Sequence, residues 1–346
     1  MAKNKSKQTY NLTLDESDLI LKYREKKALL ETECANAGID VRSVKHFWYK
    51  SEMFSIFARP NQKSIHDLKT QIIKEMSKYS PKYPTIKRAK CTDPHLLVID
   101  PADIHIGKLG SKTETGDTVN NETIIRDVKE GIKGVLNKAN GFNIDKILFI
   151  GGNDVLHVDT PKRTTTSGTP QDTDGMWYDN FQLAKNLYID VLESLLPIAD
   201  VHYIHNPSNH DFVHGYMLSD VVATWFRKCS NITFDTDMRH RKAYQYGNNF
   251  IGTTHGDGAK QHDLPLLFAH EFSKAWHETE HRYIYGHHLH HKTSKDYIGI
   301  TYETTRSATG ADGWHSRNGY QHAKRAVEAY LHSYNNGQVA RLTHLL

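Results

Sequence analysis

Cysteine, proline and long hydrophobic runs are all scarce in this chain of 346 residues. The three cysteines, Cys34, Cys91 and Cys229, are far apart and have no CxxC spacing, which excludes a disulfide framework, a cysteine-based zinc site and a redox pair. The mean hydropathy is −0.63 and no apolar run could span a bilayer, so no membrane partner is expected. The first eight residues are basic and polar with no apolar stretch after them, so we expect no signal peptide and a cytoplasmic location.

Histidine, in contrast, is abundant, with 23 residues. Neutral imidazole binds transition metals and the side chain exchanges a proton near pH 7, so this surplus favours metal or acid–base chemistry. With 38% hydrophobic residues the chain can bury a core. Its length allows one large domain together with a smaller one.

Charge is distributed unevenly along the chain. Residues 1–90 carry 19 Lys and Arg against 10 Asp and Glu, a net charge of +9, whereas the remainder has a net charge of −5. A basic segment of this size would attract DNA phosphates through counterion release. It would serve equally well as a solvated face that keeps the protein in solution.

The basic segment is predicted to be mainly helical. Apolar spacing predicts a helix over residues 14–36, and a short second helix near residues 44–47 would complete a helix-turn-helix-like unit. The aromatic residues around it suit either nucleic-acid contact or a small core. A further helix is predicted over residues 64–79, and residues 80–90, basic and proline-bearing, are predicted to be a linker.

We therefore divide the chain into a basic helical region, residues 1–90, and a second domain, residues 91–346. The second domain contains short apolar runs that each end in a polar loop, as buried strands of an α/β domain do. These runs are residues 95–100, 146–150, 201–205, 249–253 and 282–285. Ligands of such sheets gather at the carboxyl ends of the strands, which directs attention to the loops.

The five loops contain the chemically active side chains. The first has Asp103 and His105, whose side chains would point the same way in an extended segment and could share one metal ion. The later loops contribute, in chain order, Asp154 with His157, then Asn209, His210 and Asp211, then His255, and finally His287, His288, His290 and His291.

This ordered set, D-x-H, GND-x-x-H, NHD, H and GHHLH, resembles the signature of the calcineurin-like metallophosphoesterases over residues 95–292. The spacing of Asp154 and His157 is most similar to that of SbcD-type exonucleases and of phage proteins described as DNA repair exonucleases. The resemblance implies an α/β fold, a two-sheet sandwich flanked by helices in the order α/β/β/α. It also implies two divalent metal ions, usually Mn²⁺, with Fe²⁺, Zn²⁺ or Mg²⁺ as alternatives.

Carried over by position, the resemblance assigns a ligand set to each ion, with Asp154 as the bridge. The first ion would take Asp103, His105, Asp154 and His290, and the second would take Asp154, Asn209, His255 and His288. The sequence departs from the family pattern in having Asn153 before Asp154 and an additional histidine, His287, that competes with His288. We prefer His288 because it has a partner two residues later.

The reaction expected of such a centre is hydrolysis of a phosphodiester by metal-activated hydroxide. His210 would protonate the leaving group or stabilise the charged transition state, and Asp211 would orient His210. His157 is a second candidate for contact with the phosphate or the leaving group. Lys162 and Arg163 lie in a polar loop, residues 160–175, that either covers the substrate or is a surface insertion. His287 and Arg317 are further candidates for substrate binding.

Three functions fit the sequence. The first is a metal-dependent DNA nuclease, acting as an exonuclease or endonuclease, with DNA bound by residues 1–90. The second is a phosphodiesterase or phosphatase for small molecules such as cyclic nucleotides. The third is an inactive nucleic-acid-binding protein, which the full set of competent ligands disfavours. The sequence does not determine the oligomeric state.

Overall fold

The computed structural model describes residues 13–36, 47–50, 55–58 and 81–346. The chain divides into two compact units, residues 1–79 and residues 80–346. The described helices are α1 Leu14–Asn36, α2 Lys112–Thr115, α3 Asn121–Lys138, α4 Trp177–Leu195, α5 Phe212–Trp225, α6 Leu264–Glu271, α7 Ser273–His277 and α8 Gly313–Arg317. The described strands are β1 Phe47–Lys50, β2 Ser55–Ala58, β3 His95–Asp100, β4 Ile144–Gly152, β5 Asp200–Asn206, β6 Ile232–Asp235, β7 Arg241–Tyr246, β8 Asn249–Thr254, β9 His281–Gly286, β10 Thr293–Tyr297, β11 Ile300–Thr304, β12 Ala326–Ser333 and β13 Gly337–Leu345.

The first unit combines a helix with a hairpin. Helix α1 confirms the helix predicted over residues 14–36. The short helix predicted near residues 44–47 is corrected at Phe47, which begins β1 and pairs with Ala58 of β2 in an antiparallel hairpin. Aromatic and β-branched residues favour extended backbone, which explains the difference. The helix predicted over residues 64–79 lies outside the described residues.

Two sheets form the second unit. The six-stranded sheet has the order β13-β12-β3-β4-β5-β6, in which β3 to β6 are parallel and β12 runs antiparallel to β3. The five-stranded sheet has the order β10-β11-β9-β8-β7, with β8, β9 and β11 parallel. All five strands predicted in the second domain are present. A tight turn that includes Asn336 joins β12 to β13, which pair as an antiparallel hairpin.

The apolar side chains of the central strands point alternately to two cores. On β3, Leu96 and Val98 face the other sheet, in a core that includes Tyr285 of β9. Leu97 and Ile99 face the opposite way, in a core that includes residues of α3, α4 and α5. A third core packs β8 and β9 against α6. The predicted α/β/β/α arrangement, two sheets flanked by helices, is therefore confirmed.

The segment predicted to be a linker packs against the second unit. The hydroxyl of Tyr83 donates to Glu193 at 2.6 Å, and the backbone N–H of Ile86 donates to Asn231 at 2.8 Å. Arg88 donates to Asp200 at 2.9 Å. Apolar and charged partners on α4 and the adjoining strands thus hold residues 83–88 in place despite their prolines. Within the described residues, no helix is long and apolar enough to cross a membrane.

Candidate metal centre

The loops after five parallel strands meet at one edge of the sandwich. Strands β3, β4 and β5 of the six-stranded sheet end there, as do β8 and β9 of the five-stranded sheet. This common polarity brings the seven side chains predicted as ligands close together although they span almost 190 positions of sequence. They are Asp103, His105, Asp154, Asn209, His255, His288 and His290.

Asp103, His105 and His290 form a first group, which we call the His105 cluster. The Nε2 atoms of His105 and His290 are 3.1 Å apart, and Nε2 of His290 is 3.7 Å from Oδ1 of Asp103. Two imidazole nitrogens bound to one ion at about 2.0–2.1 Å would be separated by roughly 3.0–3.4 Å. The spacing is therefore that of side chains able to share a metal.

Asp154, His255 and His288 form a second group, the His255 cluster. Nε2 of His255 lies 3.2 Å from Oδ2 of Asp154 and 3.0 Å from Oδ1 of Asn209. The rings of His255 and His288 meet edge to face at 5.1 Å. The structure thus groups His288, the preferred ligand of the final motif, with the second set of predicted ligands.

Several buried polar atoms in the two clusters have no hydrogen-bond partner. They are Oδ2 of Asp103, Oδ2 of Asp154 and Nδ1 of His255. Buried oxygen and nitrogen atoms are almost always satisfied, so the unpaired atoms of these two clusters indicate a missing partner. A mixed set of carboxylate, imidazole and amide donors suits borderline divalent ions such as Mn²⁺, Fe²⁺ or Zn²⁺. The residues present therefore fit the implied metals.

The backbone of these loops is mostly left-handed, which corrects one expectation. Asp103 and His105 have φ of 48° and 52°, so they are not in the extended segment that the D-x-H argument assumed. The two side chains nevertheless belong to the same cluster. The other non-glycine site residues with positive φ are Asn153, Asp154, His288 and His290.

Burial and mutual contacts set the charges of the site. Burial raises the pKa of Asp103 to about 7. Burial lowers the pKa of His105 and of His290 well below the usual value, which favours the neutral imidazole that binds metal. Burial alone would lower the pKa of His255, but the carboxylate of Asp154 outweighs it and raises that pKa to about 9. Metal binding at the His255 cluster would therefore release a proton.

His210 lies at the cavity surface, but Asp211 does not orient it. Nδ1 of His210 contacts the backbone carbonyl of His157 at 2.9 Å, and its backbone N–H donates to Oδ1 of Asp154 at 2.9 Å. Asp211 is buried, accepts from Ser208 at 2.6 Å and accepts from the backbone N–H of Leu156 at 2.9 Å. Since Ser208 in turn accepts from the backbone N–H of Asp154, Asp211 supports the loop that holds Asp154.

His157 is also placed differently from the prediction. Its ring is buried, and its Nδ1 lies 3.4 Å from Nδ1 of His105. It stacks on His210 at 5.3 Å and does not line the cavity. The structure therefore groups His157 with His105 and His210, which could together hold an ion, and not with the side chains that line the cavity.

The structure places His287 in neither cluster and not in the wall of the cavity. Its ring is fully buried, with Nδ1 2.9 Å from the carbonyl of Thr254 and Nε2 2.9 Å from Asp100. Burial would lower the pKa of His287, but the Asp100 carboxylate outweighs it and raises that pKa. With both nitrogens engaged, His287 ties the end of β3 to the end of β9.

A cavity of about 880 Å³ opens over the two clusters. Residues 165–172 of the long polar loop form part of its wall, so this loop lies beside the site. Lys162, Arg163 and Arg317 are exposed and do not line the cavity. Arg163 instead contacts the sulfur of Met176. The structure therefore does not place these three cations at the centre.

Sequence reasoning missed a buried group next to the centre. Lys108 is 1% exposed, and its Nζ lies 3.5 Å from Oδ2 of Asp312 and 3.5 Å from Nδ1 of His315. Asp312 is also 2.7 Å from Nδ1 of His315, whose ring stacks on His290 at 5.2 Å. No motif connects residues so far apart in sequence; the only signal was the polar segment 310–319.

No protein-family model matches the chain, and no curated protein matches it significantly. Among solved structures, it is similar to Vps29 of Chaetomium thermophilum, with 12% identity, a TM-score of 0.30 and coverage of 73% of this chain and 95% of that one. A predicted phosphoesterase from Streptococcus pneumoniae gives 13% identity, a TM-score of 0.27, and coverage of 73% and 97%. A putative 5′-nucleotidase from Staphylococcus aureus gives 9% identity, a TM-score of 0.35, and coverage of 73% and 54%.

Proposed function

We propose that this protein is a phosphodiesterase of the calcineurin-like metallophosphoesterase type that uses two divalent metal ions, most often Mn²⁺, to cleave DNA. The observation that carries the proposal is the pair of adjacent acid–histidine clusters, the His105 cluster and the His255 cluster, at one edge of a two-sheet sandwich. Their residues follow the order of the five sequence motifs. The cavity above them provides room for a substrate.

Bound at the two clusters, divalent ions would lower the pKa of a water molecule and offset the negative charge of the phosphate oxygens. The protein's own residues would hold the ions and protonate the leaving oxygen. Asp154, whose backbone N–H donates to the hydroxyl of Ser208 and whose carboxylate accepts from the backbone N–H of His210, would help to hold both ions. His210, which lines the cavity and is held by the carbonyl of His157, is proposed to donate a proton to the leaving oxygen.

DNA is the proposed substrate because of the charge distribution. The net charge of +9 on residues 1–90 would attract a polyanion, whereas the remainder of the chain is net negative and would repel one. The Asp154–His157 spacing, similar to that of SbcD-type exonucleases, supports the same substrate. A small diester would have no need of the basic segment.

The test compares metal-free with Mn²⁺-loaded full-length protein on single-stranded DNA, duplex DNA and bis-p-nitrophenyl phosphate. We expect Mn²⁺-dependent DNA cleavage that falls at least 100-fold in Asp154→Asn and in His210→Ala. Thermal unfolding supplies a second measurement, because a ligand that binds only the folded state raises the midpoint. Mn²⁺ should raise the midpoint of the parent and of His210→Ala, but raise that of Asp154→Asn much less.

His270→Ala is the matched control, since His270 is an exposed histidine on α6 with no part in either cluster. It should keep full activity and the full response to Mn²⁺. If the protein hydrolysed bis-p-nitrophenyl phosphate but did not cleave DNA, the proposed metal centre would stand and DNA would be rejected as the substrate. If Mn²⁺ neither stabilised the parent nor supported any hydrolysis, the proposal would be rejected entirely.

A further inference from the structure

Two exposed aromatic side chains lie on one wall of the cavity beside the candidate metal centre. Trp314 is 60% exposed and Tyr320 is 62% exposed, and both line the cavity. Their ring centroids are 5.7 Å apart with 34° between the planes, so the rings form one continuous surface. We call this pair the aromatic platform. Exposed rings grouped on a concave wall are typical of a ligand-binding surface.

The platform is connected to the metal centre by successive ring contacts. His315 stacks on His290 of the His105 cluster at 5.2 Å, with 19° between the planes. Trp314 meets His315 edge to face at 5.1 Å. A substrate whose phosphate lay beside His290 would therefore place its neighbouring group, two ring contacts further out, on Trp314.

The segment that carries the platform is held firmly in place. Asp312 accepts from the backbone N–H of His315 at 3.0 Å, and the buried Lys108 pairs with Asp312 from the other side. Asn318 donates to the carbonyl of Trp314 at 2.8 Å, and the backbone N–H of Tyr320 donates to the carbonyl of His315 at 2.8 Å. A surface ordered before binding loses little conformational entropy when a ligand stacks on it.

The side chains that line the cavity limit what it can recognise. Of the residues that the structure describes, no lysine or arginine lines it. Phosphate groups beyond the one at the centre would therefore find no fixed cation in the cavity. Flat π-systems would find the aromatic platform, and every nucleobase offers such a face.

We propose that the aromatic platform stacks an unpaired nucleobase that flanks the scissile phosphate. This inference rests on the proposed function and narrows its substrate to single-stranded DNA or to a frayed duplex end. In an intact duplex both faces of a base are already stacked on neighbouring bases, so using the platform there would require unstacking first. Base–aromatic stacking is tolerant of sequence, so we expect little base preference.

The test measures binding by the full-length protein in the presence of a chelator, and cleavage with Mn²⁺. The two probes are a single-stranded oligothymidylate and an abasic deoxyribose-phosphate oligomer of the same length. The parent should bind and cleave the thymidylate in preference to the abasic chain. Trp314→Ala should reduce the affinity for thymidylate by about 5- to 100-fold and bring the preference close to one. Trp314→Phe, which retains an aromatic ring, should keep most of the preference for thymidylate over the abasic chain.

Tyr178→Ala is the matched control, because Tyr178 is 50% exposed but does not line the cavity, and it should keep the parental preference. The inference would be overturned by a parent that does not distinguish the two chains, or by a Trp314→Ala variant that retains the preference. Failure of the nuclease proposal has a different signature. It would show as no Mn²⁺-dependent cleavage of thymidylate, while base-dependent binding in chelator remained measurable.

Discussion

At the scale of single residues, the candidate centre is built from strained backbone. Asp103, His105, Asp154, His288 and His290 all have φ between 48° and 70°, a region that side chains other than glycine seldom adopt. Such conformations cost of order 1–3 kcal/mol each and persist only where the surroundings enforce them. The strain is concentrated where five ligand side chains must turn inward from loops of fixed length. The motifs predicted which residues these are, but not this backbone, because φ has no signature in a D-x-H pattern.

Asn153, the residue that departs from the family motif, lies in the same region with φ of 59°. Asparagine tolerates this conformation better than most residues, and glycine tolerates it best. We predict that Asn153→Ala is less stable than Asn153→Gly by about 1 kcal/mol, although alanine has the larger side chain. Urea unfolding of both variants measures the difference. Both variants lack the asparagine amide group, so its loss affects them alike. Equal stabilities would therefore show that the positive φ at this position does not destabilise alanine relative to glycine.

At the scale of elements, apolar runs and turn residues predict the second unit well. Strand β3 coincides with the run predicted at residues 95–100, and β5 contains the run predicted at residues 201–205. The short helix predicted near residues 44–47 overlaps the first strand of the hairpin at Phe47, because a four-residue aromatic strand is too short for its periodicity to appear. Residues 83–88 were predicted to be linker because their prolines say nothing about partners on α4.

The packing of β12 and β13 depends on a buried ionic group. Arg341 of β13 bonds both Glu303 and Glu328, and Glu328 is fully buried on β12. Removing the cation would leave buried carboxylate charge with fewer partners. We predict that Arg341→Met lowers the free energy of unfolding by about 3 kcal/mol.

Equilibrium denaturation in guanidinium checks this value. Lys129→Met is the matched control, because Lys129 and its partner Asp190 are both exposed, and it should cost less than about 1 kcal/mol. Equal losses in the two variants would contradict a special contribution from the buried group.

At the scale of the whole molecule, the contacts that complete the centre join distant parts of the chain. Asp100 and His287 are 187 positions apart, and Lys108 and Asp312 just over 200. Pattern-based reasoning finds the candidate ligands because each belongs to a local motif after a strand. It cannot identify the supporting residues, since their partners are determined only by how the two sheets pack.

Two buried histidines should make the fold sensitive to acid. Burial lowers the pKa of His205 and of His332 to about 3, against about 6.5 in an unfolded chain. Below pH 6.5 the unfolded chain therefore binds protons that the folded one cannot, and stability is lost as the pH falls from 6.5 towards 3. Above pH 6.5 this contribution is fully present. Each histidine should account for about 2 kcal/mol of the loss between pH 7 and pH 5.

Urea unfolding at pH 7 and pH 5 measures this loss, and His332→Asn tests its origin. The variant should lose about 2 kcal/mol less than the parent over the same interval, whatever its stability at pH 7. His281→Asn serves as the comparison, because His281 is only half-buried. An identical pH response in the His332→Asn variant would assign the acid sensitivity to other groups.

The position of β12 has a consequence for how the protein is made. This strand, residues 326–333, inserts between β13 and β3, and β3 leads directly into the loop of Asp103 and His105. During synthesis, β3 emerges from the ribosome more than 200 residues before the strand that completes its side of the sheet. One edge of β3, the strand that leads to Asp103 and His105, therefore stays uncovered until β12 has been translated. Both candidate clusters are also completed late, because His288 and His290 are translated more than 180 residues after Asp103.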